Sequence, residues 1–168
     1  MLASHLSTRL QYQHKCLVEL IDSLSDEQVR RQIILGKWSI FENIVHLQTY
    51  QHVFIIRMRK MLEGDNPVFE RYTAEADPEF LDNSEKSIRE VMHDMITLRK
   101  QISAEILNFP DSDLLKTGIH PAYGKMTVPQ WLNFFLLHEA YHLFTIFKLV
   151  AEFRNPLRRS PESFGLTP

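Results

Sequence analysis

Apolar side chains recur every three to four residues through four long stretches of the chain, the spacing that gathers them on one face of a helix. In the first, about residues 2–24, the stripe is Leu6, Leu10, Gln13, Leu17, Leu20, Ile21 and Leu24. The second, about 39–63, has Ile40, Ile44, Leu47, Gln51, Phe54 and Met58. It opens on Ser39-Ile40-Phe41-Glu42, a capping box, and meets Gly64, a good helix stop. The third, about 84–108, follows Asn83 and uses Ile88, Val91, Met92, Met95, Ile102 and Ile106. The fourth, about 127–153, opens on the box Thr127-Val128-Pro129-Gln130 and carries Trp131, Phe135, His138, His142, Thr145 and Leu149.

No stretch alternates well enough to predict a strand, so the expected fold is all-α, a four-helix bundle over residues 1–153 with a C-terminal tail over 154–168. The connections 25–38, 64–83 and 109–126 are long enough for crossovers and for covering one end of the bundle. Ser25-Asp26-Glu27-Gln28 predicts a short extra helical turn in the first of them.

Composition narrows the function classes. Of 168 residues, 44% are hydrophobic and 24% charged, as in soluble globular proteins, and the net charge of −2 argues against a nucleic-acid surface. The single cysteine, Cys16, excludes an internal disulfide framework and points to a reducing, cytoplasmic setting. The N-terminus lacks the apolar run of a signal peptide. The most apolar window, 131–153, is interrupted by His138, Glu139, His142, Lys148 and Glu152, which argues against a membrane span.

Of eight histidines, His138 and His142 stand out. They hold consecutive places on an apolar stripe, one turn apart, where each ring needs a polar partner. A shared metal would serve both; so would separate hydrogen bonds to other core side chains. The string His138-Glu139-Ala140-Tyr141-His142 matches the HExxH pattern of zinc proteases. The third ligand of those proteases does not follow, and their sheet is missing, so proteolysis is not expected.

Read with the second stretch, the string takes another meaning. Trp38-Ser39-Ile40-Phe41-Glu42-Asn43-Ile44-Val45-His46-Leu47 resembles the W-S/T-x-x-E-x-x-x-H-L signature of the DinB-like (DinB/YfiT-type) family. The run from His120-Pro121 to Trp131 is similar to that family's lead into its last helix, and His138 and His142 fall where it has its HxxxH pair. The resemblance implies an up-down-down-up bundle with a divalent metal, zinc, nickel or iron, on His46, His138 and His142. It also implies a metal-dependent enzyme for a small-molecule substrate. The expected chemistry is hydrolysis or thiol-dependent S-transfer with a low-molecular-weight thiol such as bacillithiol, mycothiol or glutathione, in a homodimer. Tyr141 and Thr145 or Ile146 stand where family members often carry a further histidine and a glutamine.

Three neutral imidazoles leave a metal its charge and an open position, at which water or a thiol loses its proton. Glu139 is the candidate general base, with a solvated surface carboxylate as the alternative. Tyr50, Tyr141 and His120 are candidate substrate contacts, with core packing for the tyrosines and plain exposure for His120 as the alternatives. Two rival functions stand beside the enzyme: a bundle that holds metal for stability or sensing, and a metal-free helical interaction protein.

Overall fold

The computed structural model describes residues 1–64 and 66–154; the expected tail lies outside them except for Arg154. In chain order the elements are α1 (Ser4–Tyr12), a 3-10 turn (Gln13–Lys15), α2 (Cys16–Ile21), α3 (Asp26–Arg30), α4 (Ile40–Glu63), a 3-10 turn (Ala74–Ala76), α5 (Pro78–Ser84), α6 (Ile88–Leu107), α7 (Asp111–Leu114), β1 (Thr117–His120), β2 (Gly124–Thr127) and α8 (Val128–Arg154). The four bundle helices are α1 continued by α2, then α4, α6 and α8. Both α1 and α4 pack on α6 and on α8, so α1 lies diagonal to α4 and α6 diagonal to α8, while α4 and α6 are neighbours.

The starts of the helices follow from local chemistry. Ser39 and Glu42 exchange backbone hydrogen bonds of 3.1 and 2.6 Å at the head of α4, and Gly64 ends it at φ 106°, a left-handed backbone that favours glycine. Ser25 and Gln28 close the same box on α3. On α8 the glutamine half of the box forms, with Gln130 accepting from the Thr127 backbone at 2.8 Å.

Three expectations change. The first helix is broken: a 3-10 turn at Gln13–Lys15 directs Gln13 inward to the Leu136 carbonyl at 2.8 Å. The third begins at Ile88, because Ser87 and Glu90 form its capping box; Asn83 lies in the last turn of the separate helix α5, donating to Gln48 Oε1 at 2.6 Å. The region read as strandless holds an antiparallel hairpin, Thr117 paired with Thr127 through His120 with Gly124. A parallel bridge from Val68 to Ile119 ties the 66–77 connection to it. Phe69 then presses on Gly118, where a Cβ would stand 2.7 Å from the ring.

The core is two apolar clusters end to end. One gathers Leu6, Leu10, Phe54, Ile102, Trp131 and Phe135; the other Leu17, Ile40, Ile44, Met95, Leu143 and Ile146. Between them every bundle helix contributes polar side chains. Arg99 of α6 and Glu139 of α8, each 1% exposed, form an ion pair. Gln13 donates to Glu139 Oε1 at 2.9 Å, Arg99 Nε donates to Gln51 Oε1 at 2.7 Å, and His14 Nδ1 lies 3.5 Å from the guanidinium. α8 is the one helix among the described residues long and apolar enough to cross a membrane, and its apolar stripe is buried in these clusters.

Removing one partner of a buried pair strands the other's charge. Glu139→Gln should lower unfolding free energy by about 3–5 kcal/mol, while the double variant Arg99→Met/Glu139→Leu should recover most of it, as measured by chemical denaturation. His14 gives a second expectation. Burial first, then Arg99, Lys15 and Lys100, lower its pKa to about 4. The unfolded chain takes up that proton near pH 6.5 and the folded chain does not, so stability present above pH 6.5 is lost as pH falls toward 4. The denaturation midpoint of His14→Gln should fall less between pH 7 and pH 5 than that of the unsubstituted protein.

Candidate metal centre

His46 comes from α4, and His138 and His142 from the facing turns of α8. His46 lies off the centre of its own apolar stripe, yet it is buried, because α3, α5, α6 and α8 surround the first half of α4. One ring nitrogen from each histidine lies within 4.8 Å of the other two. His46 Nε2 and His138 Nε2 are 3.1 Å apart. Two nitrogens on one tetrahedral metal with 2.0–2.1 Å bonds stand about 3.3 Å apart, so the spacing fits a shared ion.

The protonation state fits as well. Burial lowers the pKa of His46 to about 3, with His138 adding to it, and that of His138 to about 4. Burial, then His138 and His46, lowers His142 to about 2. All three rings are neutral at neutral pH, the form that binds metal.

Asn43 fixes the tautomer of His142. Its amide nitrogen donates to the Ser39 carbonyl at 2.7 Å, so its oxygen faces His142 Nδ1 at 2.8 Å and must accept from it. The Nε2 lone pair of His142 is left for a ligand. Nδ1 of His46 and of His138 are buried with no partner among the described residues. Aromatic packing holds these two rings instead. Trp38 is 5.0 Å from His46 between centroids, Tyr72 5.8 Å from His46, and Tyr50 4.6 Å from His138.

The other expected site residues are placed unevenly. Glu139 is turned away from the three histidines into the ion pair with Arg99. Adjacent residues on a helix point about 100° apart, so the HExxH string is split over two faces of α8. This placement supports a structural role in the middle of the bundle and not that of a base at the histidines. Tyr50 stands at the triad, its hydroxyl 3.5 Å from Arg57. Tyr141 is 61% exposed, with its ring edge-on to His142 at 5.3 Å. His120 ends β1, its Nδ1 accepting from the backbone of Ala122 and Tyr123 at 3.1 and 3.2 Å, and packs on Phe134, which stacks on His138. Cys16 is exposed and takes no part in the cluster.

Asn43 and Tyr72 were not singled out from the sequence, and Trp38 entered it as the first residue of the family signature and not as a packing partner of the histidines. An asparagine one turn below a buried histidine in an apolar helix was the available signal for the first. Trp38 precedes the helix cap, and Tyr72 sits in an irregular connection, so no periodicity marks either.

The comparisons with known proteins agree with this architecture. The model of the DinB superfamily matches residues 9–146. An uncharacterized Bacillus subtilis protein, YuaE, is 26% identical over 136 residues, covering 73% of this chain and 83% of its own. Among solved structures, YfiT from Bacillus subtilis superposes with a TM-score of 0.78 at 18% identity, covering 89% of this chain and 86% of that one. It is described as a probable metal-dependent hydrolase with an unusual four-helix bundle topology. The four-helix bundle protein TT2238 gives 0.62 at 18% identity, over 84% and 95%. At these identities the structures establish the shared fold, and the match over most of the sequence establishes the lineage: this chain belongs to the DinB superfamily.

Proposed function

We propose that the chain is a metal-dependent enzyme that holds one divalent ion on Nε2 of His46, His138 and His142 and hydrolyses a small molecule. The observation that carries this reading is the convergence of three neutral imidazoles within 4.8 Å, those of His46 and His142 buried and that of His138 half-buried. Such a donor set suits zinc, nickel or iron. A bound ion would act as a Lewis acid and lower the pKa of a coordinated water toward about 7.

The chain's own residues prepare the site. Asn43 keeps the His142 lone pair aimed inward. Trp38, Tyr50 and Tyr72 pack round the rings and limit access of bulk water. A thiol could take the same open position as thiolate, which makes thiol transfer the second reading. Hydrolysis is preferred because the structural neighbour YfiT is described as a probable hydrolase. The reading extends to a cytoplasmic homodimer. Its lone exposed cysteine supports the first part, and the exposed Leu137, Tyr141, Phe144 and Phe147 along the outer side of α8 support the second.

Element analysis of protein purified without chelator or histidine tag should find one divalent metal per chain. Alanine at His46, His138 or His142 should abolish it, and His93→Ala, on the exposed side of α6, should leave it intact. Full metal content in His46→Ala would refute the three-histidine centre. Asn43→Ala should weaken metal affinity about 10–100-fold, the usual effect of losing a hydrogen bond to a ligand histidine.

Cobalt substitution reads the open position. Azide or a thiol should shift the d–d spectrum at neutral pH, less so as pH falls and protons compete for the imidazoles. A cobalt spectrum indifferent to azide, thiols and pH would leave a structural metal and no reaction at it.

A further inference from the structure

Two arginines are buried among the described residues, and only one of them has a counter-ion there. Arg99 is paired with Glu139. Arg57 of α4 is 9% exposed and has no carboxylate within ion-pair distance among the described residues. Its guanidinium donates to the Glu70 carbonyl at 2.7 Å and contacts Tyr50 Oη at 3.5 Å. It also lies 5.4 and 5.7 Å from the ring centroids of Phe69 and Trp131. Two of five N–H donors are thus engaged, both by neutral oxygens. A buried cation without an anion is costly, and a planar fork with free donors is suited to carboxylate or phosphate oxygens.

The surroundings favour the same ligand. Tyr50, which Arg57 touches, is the tyrosine against His138, and its ring is 5.3 Å from that of Tyr72. Having accepted from Arg57, the Tyr50 hydroxyl retains a hydrogen to give. Tyr72 Oη is buried with no hydrogen-bond partner among the described residues. Asp77 and Glu79 are the carboxylates that act on the Tyr72 hydroxyl. His120, whose Nδ1 accepts from two backbone N–H groups, carries its proton on Nε2 and packs 5.1 Å from the same Trp131 ring.

We propose that Arg57, with the hydroxyls of Tyr50 and Tyr72, forms a subsite for an anionic group of the substrate, carboxylate or phosphate, beside the three histidines. The metal reading supplies the reacting end of that substrate, and this inference rests on it for that part alone. The substrate class is then a small organic acid or phosphate ester whose anion sits on Arg57 while its reactive group faces His46 and His138.

The test uses zinc-loaded and chelator-treated protein. Each is titrated with inorganic phosphate and with glutarate, against sodium chloride of matched ionic strength, and binding is read from indole fluorescence near Trp131. One anion should saturate the unsubstituted protein; phosphate would mark a phosphorylated substrate and glutarate a carboxylate. Arg57→Gln should weaken that binding about tenfold or more, as expected for a lost charge-assisted contact, and Arg57→Lys should restore part of it. The subsite is overturned if neither anion saturates either form, or if Arg57→Gln binds as tightly as the unsubstituted protein. Should Arg57→Gln fail to fold, the double variant Tyr50→Phe/Tyr72→Phe removes only two hydroxyls; it should weaken binding about tenfold, and an unchanged Kd overturns the proposal. Failure of the metal reading shows separately. Stoichiometric zinc without Arg57-dependent anion binding removes the subsite and leaves the centre. Arg57-dependent binding by protein that takes up no zinc removes the centre and leaves the subsite.

Discussion

The ion pair between Arg99 and Glu139 is the constraint on which the bundle depends. Both groups are almost wholly out of water, where an unmatched charge costs more than any single apolar contact returns. Matching them requires α6 and α8 to face each other at one height and one rotation. Gln13 on the turn between α1 and α2, and Gln51 on α4, complete the hydrogen bonds around the pair. All four bundle helices are thereby registered to one another at a single level. Apolar packing alone tolerates small rotations and slips; a buried charge pair with defined donors does not.

The histidine cluster inherits that registration. With Glu139 locked toward α6, the preceding residue and the residue three further on are turned toward α4, where His46 waits. The rotation of α8 that satisfies the carboxylate is the one that brings His138 and His142 to the third ring. The string that first suggests a protease thus divides its labour, two imidazoles on one face of the helix and a structural carboxylate on another.

Much of this was legible in the residues. Stripe spacing and the boxes at Ser39 and Thr127 located α4 and α8 closely, because capping chemistry is local. Pairing His46 with the two later histidines needed family likeness; no periodicity connects side chains 92 residues apart. The ion pair of Glu139 with Arg99 was missed although a signal existed. Arg99 occupies a stripe position between Met95 and Ile102, and a charge there demands a buried partner. The hairpin escaped because its strands have four residues each, too few for alternation to register, and its register is set by Gly118 and Gly124 and by Val68 from a distant connection. Ser87 was passed over for Asn83, since either can cap a helix and only tertiary contacts show that Asn83 is committed to Gln48.

Dividing the apolar core in two also divides its cooperativity. The clusters at the two ends of the bundle have distinct members, and Tyr72 is the partly buried side chain packed against both. Fraying at one end therefore need not propagate to the other, and amide exchange can sort the molecule into two units with the polar layer as their seam. Tyr72 belongs to an irregular connection and not to any bundle helix. The side chain that touches both halves is thus carried by a segment whose own local opening would uncover the histidines between them.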